Sequence, residues 1–289
     1  MNDGSTLGKA VKRRDLLIGA GKFAAGAAGI AAVASGGLGI FSSAEAKGAK
    51  ADKFPWPYKT LSDAEIKQAG ERAYNSWFNG FCAYATLNGI VQTLAEKVGG
   101  PYKTFPKQIV VFAHGGTAGW GSTCGTLIGA GVGASLVVPY REVEELVNEV
   151  MYYYAETALP TFVPAKPIAC KEPLKATSTA NSTLCHVSVG KWMKAEGIAE
   201  GKGPESVGFL SPQQMDRCAR MAANMSMKTL ELLNQWKEGT FKAKNTAPSS
   251  ANHIPSQNNC TDCHHDTVPA PGPFGTGLGI LKGRYGVGL

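Results

Sequence analysis

Histidine is scarce in this chain: 289 residues hold five, and three of these follow a cysteine directly or in a Cys-His-His run. A second Cys-x-x-Cys is absent, which argues against a zinc ribbon built on two paired-thiol knuckles. No segment beyond the N-terminal region is long and apolar enough to span a bilayer. There is no repeat of fixed period. No Ser/His/Asp set, phosphate-binding loop or paired-carboxylate signature points to the enzyme classes that depend on them.

What is there is concentrated near the C-terminus. Asn259-Cys260-Thr261-Asp262-Cys263-His264-His265 contains Cys-x-x-Cys-His, the attachment motif of c-type haem. Two thiols add across the two porphyrin vinyl groups, and the histidine after the second thiol supplies an axial nitrogen. A redox dithiol wants a βαβ setting, whereas Pro255, Pro269, Pro271 and Pro273 make these surroundings loop-like. A bound haem restricts the chemistry to redox work or ligand binding.

The N-terminus names a compartment. Lys12-Arg13-Arg14-Asp15-Leu16-Leu17-Ile18 reads as a twin-arginine export signal, followed by an Ala/Gly-rich apolar run to about Phe41. Ala44-Glu45-Ala46 is a small-x-small cleavage site, so residues 1–46 read as a removed signal and 243 residues as the periplasmic protein. Lys22 and the many glycines argue against a retained membrane anchor. The formal charge is +7; the signal holds five basic and three acidic residues, so the remainder carries +5. Haem propionates would offset most of that, and no nucleic-acid partner follows from it.

Cys185-His186 repeats the tight half of the haem motif, with Cys170 upstream and fourteen residues between the thiols. Only Cys-His must be tight, because it sets the ligand beneath the ring. Lengthening the loop from two to fourteen residues costs only about 1.7 kcal/mol of closure entropy. The stretch from Lys171 to Thr183 is Lys/Ser/Thr-rich and suits an exposed loop. On spacing alone a Cys170–Cys185 disulfide is an equal reading. The histidine count favours haem. Two bis-histidine haems need four ligands: His186 and His264 as proximal ligands, with the distal pair drawn from His114, His253 and His265. Adjacent side chains point apart, so His265 would serve a haem other than that of His264. The alternatives are a buried core histidine for His114 and a loop histidine for His253. Met215, Met221, Met225 and Met227 compete as axial ligands, but their helical spacing suits core packing.

The remaining pattern predicts a mainly α fold. The helical domain spans 47–242, and an irregular Gly/Pro-rich haem-binding segment follows over 243–289. The capping box Ser62-Asp63-Ala64-Glu65 opens a long helix carrying Ile66, Ala73, Trp77, Phe81 and Leu94 on its apolar face, ended by Gly99-Gly100-Pro101. Gln108–Ala113 reads as a short strand or a buried helix start. Further helices are expected over Cys124–Val138, Glu142–Leu159, His186–Ile198 and from Ser211-Pro212 to Gly239.

Phe81-Cys82-Ala83, then Gly119-Trp120-Gly121-Ser122-Thr123-Cys124-Gly125-Thr126-Leu127-Ile128-Gly129, then Cys170 and Cys185, resemble the family built on a Cys, Gly-Cys-Ala-x-x-Gly, Cys, Cys pattern. The chain departs from it in Thr123 and Gly125 around Cys124. With the export signal and Cys260-x-x-Cys263-His264, it is similar to the haem-bearing branch, the split-Soret cytochromes c of sulfate-reducing bacteria. The resemblance covers nearly all of residues 55–289. It implies two c-type haems per chain, a mainly helical structure, and a homodimer with its haems gathered at one end. It also implies bis-histidine ligation, in which the other subunit can donate a ligand.

Cys82, Cys124 and Cys218 are left over. Twin-arginine export carries folded proteins, which hints at a group loaded before export. An iron–sulfur centre on these thiolates fits, with no fourth ligand evident. Buried thiols, or export alongside a folded partner, are the alternatives. Two function classes result. One is a periplasmic dihaem electron carrier serving redox partner proteins, with no open iron site and so no enzyme activity of its own. The other is a nitrite or sulfur-compound reductase with an open haem. With no attached signalling domain, a haem sensor is the weakest reading.

Overall fold

The computed structural model of the protein describes residues 53–198 and 211–244. The export segment, His253, the Cys260-x-x-Cys263-His264-His265 motif and the Gly/Pro-rich tail lie outside the described residues. Among those described, five α-helices carry the fold: α1 (Asp63–Lys97), α2 (Gly125–Val137), α3 (Tyr140–Glu156), α4 (Cys185–Glu196) and α5 (Pro212–Lys237). The described residues contain no β-strand, only isolated bridges at Thr123–Leu184 and Leu159–Ser178. No described helix is long and apolar enough to cross a membrane. The mainly α fold is as the sequence predicts.

The capping box forms as expected. Ser62 N–H donates to Glu65 Oε2 at 2.7 Å, and Glu65 N–H donates to Ser62 Oγ at 3.4 Å. The helix it opens is not straight. At Phe81 the backbone takes φ 59°, ψ −161°, and the two halves of α1 fold back on each other. Lys97 Nζ, at the far end, lies 2.8 Å from Glu65 Oε1 at the start; Arg72 Nη1 donates to Thr93 Oγ1 at 2.9 Å and also pairs with Glu96. Asn88 Nδ2 reaches Ser76 Oγ at 2.6 Å. A straight helix of 35 residues would run about 50 Å and could not bury apolar residues of both halves in one core. Reversal at Phe81 puts Ala69 and Ala73 against the Gly89 region. A break that keeps the apolar rhythm leaves no trace in periodicity, so the sequence reads as one continuous helix.

The hairpin of α1 packs along α5, and α2 packs against its second half. Gly125, Gly129 and Gly133 line the α2 face of that contact. A Cβ at Gly129 would stand 2.3 Å from Ala83 O, and one at Gly133 2.7 Å from Ile90 Cδ1. Ser211 caps α5 by accepting from Gln214 N–H at 3.1 Å, with Pro212 in the first turn. Met221 and Met225 are fully buried, and Met215 and Met227 pack on the same core. The methionines therefore pack, as their spacing predicts. Asp216 and Arg220 form a buried pair at 2.6 Å, with the Tyr74 hydroxyl also donating to Asp216.

Gln108–Ala113 is not a strand. Lys107–Val110 forms a 3-10 turn that leaves Ile109 and Phe112 exposed, because no partner strand lies alongside to reward its β-rich composition. The loop from Lys171 to Thr183 is exposed over Lys171, Glu172, Pro173 and Lys175 but buries Ala180 and Ser182, and it is tied down by the Glu196 carboxylate. That carboxylate accepts N–H bonds from Lys175 at 2.9 Å and Ala176 at 2.7 Å.

Candidate metal centre

Residues 115–121 make a tight glycine-rich loop, with positive φ at Gly115, Gly116, Thr117, Ala118, Gly119 and Gly121. The chain after it lies against the segment that leads into α4. Cys124 N–H donates to Thr183 O at 2.9 Å, and Cys185 N–H donates to Ser122 O at 2.7 Å. This pairing sets Cys124 beside Cys185, and the two thiols perturb each other's ionisation. Cys82 from α1 and Cys218 from α5 complete a group of four interacting thiols, all buried and free.

Three of the four sit at helix starts. Cys82 follows the break at Phe81, Cys124 is the N-cap of α2, and Cys185 is the first residue of α4. Helix N-termini carry partial positive charge and favour thiolate over thiol. Side chains add donors. Trp77 Nε1–H reaches Cys82 Sγ at 3.4 Å, Gln214 Nε2–H reaches Cys218 Sγ at 3.3 Å, and Thr126 Oγ1 lies 3.2 Å from Cys124 Sγ. The Cys124 thiol is held well below its ordinary value by the adjoining Cys185 thiol, helped by the Thr126 hydroxyl. Cys185 is raised by the adjoining Cys124 thiol and by burial. Burial raises Cys82 and Cys218.

The polar surroundings are incompletely satisfied. The Tyr154 hydroxyl and Arg217 Nε are buried without hydrogen-bond partners. Among the described residues no three His, Cys, Asp or Glu side chains are placed to grip a single ion as they stand. An iron–sulfur cluster spreads its thiolates farther apart than one ion does. The donor set, four buried thiols near N–H groups and a cation, has the chemistry such a cluster requires.

The other sequence candidates divide. Cys170 is buried and donates to Glu172 O at 3.3 Å; it and Cys185 are both free thiols, so the structure holds no disulfide between them. His186 is exposed, with Nδ1 3.1 Å from Gly121 O. His114 is half-buried beside the Phe81 ring, 5.3 Å between centroids, and burial lowers its pKa. Cys82, Cys124 and Cys218 lie buried in one region of the core without forming a ready-made ligand group, and Cys185 is a further thiol there that the sequence did not reveal. Trp77, Tyr154 and Gln214 were also missed. The one signal for Arg217 was a charge next to Cys218 on an apolar helix face.

Residues 81–232, which span all of these thiols, match the family described as "Putative redox-active protein (C_GCAxxG_C_C)". The chain belongs to this family. It is 31% identical over 258 residues to split-Soret cytochrome c of Desulfovibrio desulfuricans, covering 88% of this chain and 87% of the relative. A solved structure of split-Soret cytochrome c from the same species, reported for its novel iron centre, superposes with a TM-score of 0.56. That match has 31% identity over 75% of this chain and 86% of the other.

Proposed function

We propose that the protein is an exported dihaem c-type cytochrome that passes electrons and carries an additional iron–sulfur centre. The cytochrome role rests on one observation above the rest: full-length similarity to split-Soret cytochrome c in a chain that itself holds Cys260-Thr261-Asp262-Cys263-His264. In this reading the seven cysteines are fully used. Cys260 and Cys263 hold one haem, Cys170 and Cys185 a second, and Cys82, Cys124 and Cys218 the iron–sulfur centre.

His264 and His186 are the proximal ligands. Support for His186 is its exposure and the contact of Nδ1 with Gly121 O, which fixes the ring and leaves Nε2 for iron. His114, His253 and His265 supply the distal pair, across a homodimer if need be. Iron saturated by two histidines has no open position and moves electrons without binding substrate. Residues 1–46 direct twin-arginine export to the periplasm, where redox proteins act as donor and acceptor. The relative's novel iron centre and the grouped thiols both favour the iron–sulfur centre.

One observation favours a second arrangement. The Cys185 thiol faces Cys124, so Cys185 can instead be the fourth thiolate of the centre. It cannot also be a thioether. Haem stoichiometry from the alkaline pyridine spectrum, read with intact mass, decides: two covalent haems per chain support the dihaem reading, and one returns Cys185 to the iron–sulfur centre. Carbon monoxide binding to the reduced native protein would overturn the pure electron carrier in favour of an open-site reductase.

A further inference from the structure

Arg217 lies in the core at 1% exposure. Nη2 donates to Ser188 Oγ at 2.5 Å and to Ser188 O at 3.3 Å, and the guanidinium carbon stands 6.0 Å from the Trp192 ring centre. Nη1 points at Cys218 Sγ, 3.8 Å away, and Nε has no partner. No carboxylate among the described residues pairs with it. The adjacent Asp216 is engaged by Arg220 and Tyr74. A guanidinium cannot lose its charge in a protein, and a buried charge without a counter-charge is strongly unfavourable. Of the thiols in this region, Cys218 is the one the guanidinium touches.

We propose that Arg217 is the built-in counter-cation of the iron–sulfur centre on Cys82, Cys124 and Cys218, placed to stabilise its reduced state. This rests on the iron–sulfur reading above. Reduction adds one electron and no proton, so a buried site gains one negative charge. A fixed cation in contact with a ligand sulfur offsets that charge and donates to the sulfur, and both effects favour reduction. Ser188 and Trp192 hold the guanidinium in place, so Arg217 acts through the ligand Cys218 and is a positioning residue.

The test is a dithionite titration of full-length holoprotein, followed by the electron paramagnetic resonance signal of the reduced centre. The haems of the same sample serve as internal reference. Arg217→Gln is expected to disfavour the reduced centre at least tenfold, a shift of about 59 mV to more negative potential for a one-electron couple, with haem potentials unmoved. Arg217→Lys, which keeps the charge, is expected to recover most of the shift. A folded Arg217→Gln protein that loses non-haem iron and sulfide, with both restored in the lysine variant, supports the same role. If Arg217→Gln keeps its iron and sulfide at an unshifted potential, or if the lysine variant behaves like the glutamine variant, Arg217 is structural and the proposal fails. Should Arg217→Gln not fold, Ser188→Ala carries the test by releasing the guanidinium: a smaller shift of the same sign supports the proposal, and none overturns it. Wild-type protein without non-haem iron or sulfide removes the iron–sulfur reading first and this inference with it.

Discussion

Two alanine substitutions placed two residues apart on α2 are expected to move stability in opposite directions. At Gly129 an added Cβ would stand 2.3 Å from Ala83 O and 3.1 Å from Ala83 C and Cα. All three are backbone atoms, so no rotamer relieves the clash, and α2 must back away from α1 by about 1 Å to reach ordinary contact. Overpacking of this kind costs about 1–3 kcal/mol or more. Alanine recovers about 1 kcal/mol of helix propensity. A clash with backbone belongs at the upper end of that range, so the net loss approaches about 2 kcal/mol and Tm falls by up to about 8 °C. At Gly131 the nearest atoms are Val147 Cγ2 at 3.8 Å and Cγ1 at 3.9 Å, so the methyl fits and propensity is left alone. Gly131→Ala is expected to gain up to about 1 kcal/mol. Urea and thermal denaturation followed by far-ultraviolet circular dichroism measure both. A Gly129→Ala protein as stable as wild type, or equal shifts in the two variants, would refute the close approach of the helices.

Three further outcomes are expected. Asp216→Ala strips the buried Arg220 and the Tyr74 hydroxyl of their acceptor and should cost about 3–5 kcal/mol in urea denaturation. Glu65 is held at about 2, below its usual 4.5, chiefly by the hydrogen bond from Lys97 and then by those from Ser62. A depressed carboxylate stabilises above its unfolded pKa, so that contribution is lost as pH falls from about 4.5 through about 2, and Lys97→Met should flatten the acid limb of a Tm-against-pH curve. Gly121 has φ 72°, and a Cβ there would press on His186 Cβ at 3.2 Å and Nδ1 at 3.5 Å. Gly121→Ala should therefore disturb the His186 ring and raise the high-spin fraction of the haem it serves; an unchanged spectrum would remove His186 as a ligand.

The helices were legible because capping boxes, apolar spacing and terminal glycines are local signals. Ser62, Pro212 and Gly239 mark their ends as the sequence suggests. The reversal at Phe81 was not legible, since an aromatic residue in a conformation that normally belongs to glycine gives no compositional warning. The site was half legible. Leftover thiols in an exported chain point to Cys82, Cys124 and Cys218. That Cys185 faces them depends on the pairing of residues 122–124 with 183–185, a long-range backbone contact outside any regular strand. Arg217 was hidden for a related reason: a charge on a helix is normally read as solvent-facing, and only its contacts with Ser188 and Trp192 reverse that.

The hairpin of α1 has a consequence for the order in which the thiol site assembles. Its contacts join residues close in sequence, so it is the part of the site with the lowest contact order and can form ahead of the long-range pairings. Cys82 sits at its apex, while ion pairs tie the open end at Glu65 and Lys97. Cys124, Cys185 and Cys218 then arrive from separate elements, each docking against a template already turned in the right direction. On this view the hairpin works as a folding nucleus for the thiol site. Changes at Phe81 should slow folding, whereas changes in the loop that carries Cys185 should chiefly speed unfolding.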